Sequence, residues 1–150
     1  MLKPAMSIDL EQYIKNGKIW YEIASFPAWF QKGCTGTTAS YVKKEKYVEV
    51  NNTCFVNGKE KKKIGKAFKT VKENVLKVQF FAPFKADYII EFVDETYTYA
   101  VVGSSGKNYL WILSRVPPGE LKKGILDELM MIALDRGYNV GKLHVTEKKK

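Results

Sequence analysis

Gly17-Lys18-Ile19-Trp20-Tyr21-Glu22-Ile23-Ala24-Ser25-Phe26 is the stretch whose reading decides the fold. It leaves a polar turn, Lys15 to Lys18, and begins with a large aromatic. Strand alternation puts Trp20, Glu22, Ala24 and Phe26 on one face and Tyr21, Ile23 and Ser25 on the other. Neither face is cleanly polar, so both are expected to be covered. A first strand covered on both sides fits a closed barrel with something packed outside it, and the rest of the chain reads as the wall that closes around it.

Working outward, seven more strand-like runs follow, at 37–42, 47–50, 64–71, 75–81, 87–93, 97–103 and 109–114. Short turns separate them, with Asn57-Gly58 the strongest hairpin signal. Eight antiparallel strands in up-and-down order can close on themselves, which removes exposed edges and leaves room inside for one small ligand. The expected fold is therefore all-β: an eight-stranded antiparallel up-and-down barrel. Leu121, Ile125, Leu129 and Ile132 then fall at helical spacing, predicting one C-terminal α-helix packed outside the barrel. Pro117-Pro118 is read as its start and Gly137 as its stop. Ahead of the first strand, residues 7–13 form a short helical turn with Ser7 as the candidate N-cap. Lys142 to Thr146 is an extended piece placed against the barrel. The chain reads as one domain over 1–150, with 1–8 an N-terminal extension and 147–150 a basic tail.

The totals limit the function. The chain has 150 residues, 45% hydrophobic, and a formal net charge of +9. It is a folding sequence, and no apolar run approaches the ~18 residues of a membrane-spanning helix. Residues 1–8 lack a signal peptide's apolar stretch, and no cysteine there offers a lipid-attachment site. The charge admits nucleic acid, an anionic membrane or an acidic ligand as partner. Two cysteines, Cys34 and Cys54, and one histidine, His144, argue against a zinc site, and no cofactor is expected. In a meander both cysteines fall at the same end, so a disulfide is plausible. Two free buried thiols are the competing reading.

Meander parity also assigns the ends. Strand one starts and strand eight ends at the same place, bringing Trp20 and Arg115 together at a closed end, the Arg stacked on the indole. The opposite, open end carries the loops at 27–35, 55–61, 82–86 and 104–108. Phe26, Trp29 and Phe30 make it apolar. Lys59, Lys62 and Lys85 make it basic, although a run such as Lys59 to Lys63 is also what a solvated loop looks like. Leu76, Val78 and Phe80, then Tyr88, Ile90 and Phe92, are read as pointing inward. Tyr99 and Trp111 complete the inner wall. Such a lumen suits a fatty acyl chain or another elongated apolar ligand.

WYEIASF (Trp20 to Phe26), YAVVG (Tyr99 to Gly103) and YLWILSR (Tyr109 to Arg115) resemble the bacterial lipocalins of the outer-membrane lipoprotein type, relatives of apolipoprotein D and the plant temperature-induced lipocalins. The likeness runs from about Asp9 to Val145. It implies the same barrel and helix, and a binding rather than enzymatic role: storage or transport of a fatty acid or lysophospholipid in cell-envelope maintenance. It also implies a periplasmic or outer-membrane location, with signal and lipid-anchor segments that are not in this chain, and places Trp111 in the pocket. A membrane surface is a further candidate partner. Two other functions compete. A lipid-modifying enzyme would use a Cys34 thiolate at the mouth. A nucleic-acid binder would use the +9 charge, but it has no recognisable motif, and the lysines are interleaved with strands.

Overall fold

A computed structural model describes residues 1–15, 17–28, 31–81 and 84–146, giving the backbone alone for Phe81 and Phe84. Among the described residues, the strands are β1 Trp20–Ser25, β2 Thr35–Lys43, β3 Val48–Val56, β4 Lys59–Lys69, β5 Val75–Phe81, β6 Phe84–Val93, β7 Tyr99–Gly103, β8 Leu110–Ser114 and β9 His144–Val145. Helix α1 (Leu10–Ile14) precedes them, and α2 (Ile125–Asp135) lies between β8 and β9. The sheet runs β2-β3-β4-β5-β6-β7-β8-β1-β9, and β1 pairs back to β2 through Trp20↔Ala39 and Tyr21↔Thr38. The expected eight-stranded antiparallel barrel is therefore closed. The short β9 is a ninth strand beside β1, pairing Ala24↔Val145 and Ser25↔His144.

Local chemistry sets the register. Asn57 (φ 51°) and Gly58 (φ 77°) both take left-handed backbone, as a two-residue hairpin turn requires. That turn carries the lysine run into β4, with Cys54 opposite Lys61 and Val50 opposite Gly65. A strand beginning at residue 64 was expected. It begins at Lys59 because the ladder with β3 outweighs the poor strand propensity of lysine. The second helix also begins later than expected. Pro118–Glu120 forms only a single 3₁₀ turn, and α2 starts after Gly124. Gly137 (φ 92°) follows its end, as expected.

Two apolar layers result. The inner one gathers Trp20, Tyr41, Val48, Val50, Ala67, Leu76, Ile90, Val93, Val102 and Leu113 within the barrel. The outer one packs Ile23, Ala24, Phe26, Phe92, Tyr99, Val101, Leu110 and Ile112 beneath Leu129, Ala133 and Tyr138. Tyr138 donates to Glu91 Oε2 at 2.7 Å and lies so close to β7 that a Cβ on Gly103 would meet its hydroxyl at 1.8 Å. Only glycine fits there.

The closed end is sealed by α1, whose Tyr13 and Ile14 are buried. Its N-cap is Asp9, not the expected Ser7. The Asp9 carboxylate accepts from Glu11 N at 3.0 Å, while the Ser7 carbonyl accepts from the Tyr97 hydroxyl. The Tyr13 carbonyl takes the Trp20 indole N–H at 2.9 Å and an Arg115 guanidinium N–H. The Arg115 guanidinium lies 3.9 Å from the Trp20 ring centroid, the stacked arrangement that meander parity implied.

Candidate ligand-binding site

Inward-facing side chains change character along the barrel. Near α1 they are buried: Trp20, Tyr41, Val48, Val50, Leu76, Ile90 and Leu113. Toward the other end Asn52, Val78, Phe80 and Trp111 face the same interior but are only half-buried. A collapsed core would bury both halves alike. The barrel is therefore filled at its floor and open above it, a cup lined by valine, phenylalanine and tryptophan. Phe80 fits across the wall because residue 65 is glycine, where a Cβ would approach the ring to 2.6 Å.

Polar groups are few and placed. At the floor the Tyr88 hydroxyl meets those of Tyr13 and Tyr41, the latter at 2.9 Å. Burial raises all three phenols above their ordinary pKa, so they stay neutral and serve as donors and acceptors only. Higher up, the Trp111 indole N–H donates to Gln31 Oε1 at 3.2 Å, and Gln31 Nε2 donates to Glu22 Oε2 at 3.1 Å. Burial pushes the Glu22 carboxyl up from its ordinary value, against the pull of hydrogen bonds from Ser25 and Gln31. Beyond Tyr21, β1 parts from β2. A cleft of about 420 Å³ opens there, lined by Glu22, Gln31, Thr37 and, at its outer side, Lys32 and His144.

Six of the expected wall residues line the interior: Leu76, Val78, Phe80, Tyr88, Ile90 and Trp111. Three do not. Phe26, Phe92 and Tyr99 belong to the outer layer. A bulge between Glu22 and Ala24 shifts the parity of β1, turning Ala24 and Phe26 outward. Another bulge between Ile90 and Phe92 does the same to β6. On β7 every residue is buried, so no polar position marks the outer face. Pairing of Ala100 with Val93 places Tyr99 there. Trp29 and Phe30 lie outside the described residues. Of the lysines, Lys59 shares the inward face of β4 with Lys61, Lys63, Gly65 and Ala67. Lys62 falls on the outer face, and so does Lys85, whose Nζ sits 4.4 Å from the Phe68 ring centroid. Sequence reasoning missed Glu22 and Gln31 as site residues. The available signal was Glu22 two positions after Trp20, on the lumen face.

Cys34 and Cys54 form a disulfide, Cα to Cα 5.4 Å, which ties the loop before β2 to the open end of β3. It consumes the thiol that an enzymatic role for Cys34 would need. Among the described residues no cluster of histidine, cysteine or carboxylate would hold a metal ion.

The lipocalin-like domain family matches residues 8–148. The chain is 35% identical to the outer membrane lipoprotein Blc of Vibrio cholerae, over 95% of this chain and 84% of that protein. It is 34% identical to temperature-induced lipocalin-1 of Arabidopsis thaliana, over 93% of this chain and 78% of that protein. Among solved structures, insecticyanin from Manduca sexta matches 100% of this chain and 86% of its own with a TM-score of 0.72. At 18% identity this is a likeness of fold. With the barrel, the outer helix and the half-open lumen, these matches show that the chain belongs to the lipocalin family, whose members bind small hydrophobic ligands.

Proposed function

We propose that this lipocalin binds a single-chain lipid, a fatty acid or lysophospholipid, for storage or transport in cell-envelope maintenance. The observation that carries the reading is the apolar inner wall left half-buried above a sealed floor: Val78, Phe80 and Trp111. An acyl tail entering from the open end buries against these side chains, its tip toward the tyrosine cluster. Burying on the order of 400 Å² of acyl surface at ~25 cal/mol/Å² is worth roughly 10 kcal/mol, which association costs of at least about 4 kcal/mol reduce to affinity in the tens of micromolar. Lys59, with Lys61 and Lys63 on the same inward face, offers positive charge to an anionic head at the mouth. The relatives named outer membrane lipoproteins support an envelope setting.

Titration with oleate and lysophosphatidylcholine, followed by tryptophan fluorescence and calorimetry, tests the reading. Saturable binding near one ligand per chain is expected, with affinity reduced at least tenfold in Trp111→Ala. Absence of binding by either lipid would sink it.

A further inference from the structure

The β3–β4 hairpin stands apart from the rest of the wall. β4 pairs with β3 along its whole length, from Lys59↔Val56 to Ala67↔Val48. With β5 it pairs only over Lys66 to Lys69. Among the described residues, Lys59 to Lys63 thus form a strand edge with no ladder partner in β5. That protruding half carries Lys59, Lys61, Lys62 and Lys63 against one acid, Glu60, and all five are exposed. The ion pairs Lys43–Glu11 and Lys44–Glu49 join lysines near the closed end to acids, whereas no ion pair of the described residues includes Lys59, Lys61 or Lys62. Strand alternation puts Lys59, Lys61 and Lys63 on the lumen side of the ribbon and Lys62 on the outside, beside Ile64, which is 57% exposed. The hairpin is therefore positive on both faces.

We infer that this hairpin is a docking prong for an anionic lipid bilayer, setting the open end of the barrel against the head groups. A ribbon charged on both faces suits entry into a layer of phosphates, which then surround it. A groove or flat patch on a protein or duplex would engage one face. Lysines along the free edge also oppose strand addition by a peptide, since edge charges are a common guard against it. Each lysine near an anionic surface contributes about fivefold in affinity, and the effect fades with salt. The inference stands on the hairpin's charge and exposure and is independent of what the lumen binds.

The test is co-sedimentation of the full chain with vesicles of phosphatidylcholine, alone or with 30% phosphatidylglycerol, at low and physiological salt. Binding is expected to need phosphatidylglycerol and to weaken with salt. Lys59→Glu/Lys61→Glu/Lys62→Glu should reduce it roughly a hundredfold or more. The glutamine versions of the same three should reduce it less and guard against a folding defect, which circular dichroism checks. Lys18→Glu/Lys46→Glu/Lys72→Glu changes net charge equally on exposed residues elsewhere and should weaken binding by no more than about threefold. Trp111→Ala should bind vesicles like the native chain, so failure of the lumen reading and failure of this one remain distinguishable. Equal losses in the two triple glutamate variants would overturn the prong, leaving net charge alone. Equal binding to phosphatidylcholine vesicles, or equally tight hairpin-dependent binding to a DNA duplex, would overturn it too.

Discussion

Trp20 and Trp111 lie on adjacent strands and face the same lumen, yet they live in different solvents. Trp20 is fully buried, its indole N–H held by the Tyr13 carbonyl and its ring covered by Arg115. Trp111 is half-buried, stacks on Tyr109 at 5.8 Å, and gives its N–H to Gln31 on a loop. Along one barrel the same side chain thus serves as a structural seal at one end and as wall surface at the other. A helix plugs the first end, and packing supplies its stability. The second end has too little core to hold itself, so other bonds must hold its loops.

The largest test of this contrast exchanges each tryptophan for alanine. Trp20→Ala removes a fully packed ring and strands the Tyr13 carbonyl, so a loss of about 3–5 kcal/mol is expected. That is a large part of a typical domain's stability. Trp111→Ala should cost less, roughly 1–2 kcal/mol, because its ring is only partly buried. Urea denaturation measures both. Comparable losses would mean that the upper barrel is packed core, and the ligand-binding reading would fall with the comparison.

The second test concerns what secures the open end. The Cys34–Cys54 bridge links residues 20 apart in sequence. Constraining such a loop in the unfolded chain is worth about 3 kcal/mol. Cys34→Ala/Cys54→Ala should lower the urea midpoint accordingly and weaken lipid binding as well, since the loop that ends at Cys34 carries Gln31. A double variant with unchanged stability would show that the mouth is held by something else.

Much of this architecture was legible in sequence. Alternation, the Asn57-Gly58 turn and the short connections gave the strand order, and meander parity gave the Trp20–Arg115 pair. What sequence hid were the parity shifts. Each bulge adds a residue without leaving a polar mark, so Phe26 and Phe92 passed for lumen residues when they support α2. Tyr99 misled for a related reason: with both faces of β7 buried, alternation carries no sign. The lysine run hid a strand because its extended form comes from pairing with β3, which composition does not reveal. The Tyr13, Tyr41 and Tyr88 hydroxyls lie far apart in sequence and meet only after closure.

The smallest expected effect probes the carboxylate in the open half. Glu22 is raised by burial within a cleft that Lys32 and His144 also line. In the unfolded chain a glutamate titrates near ~4.3. Between that value and the higher native one, the native protein still holds a proton that the unfolded chain has released. Stability from this group therefore falls as pH rises through the window, and is flat below and above it. Glu22→Gln keeps the size of the side chain and an oxygen to accept from Gln31, but cannot ionise. Its melting temperature relative to the native chain should rise as pH increases above about 4, then level off once the native Glu22 carboxyl has ionised. His144 and Lys32 are present in both proteins, so the difference curve isolates residue 22. A variant that loses ground as pH rises would show that ionised Glu22 is stabilised where it sits, and that the open half is more polar than its lining implies.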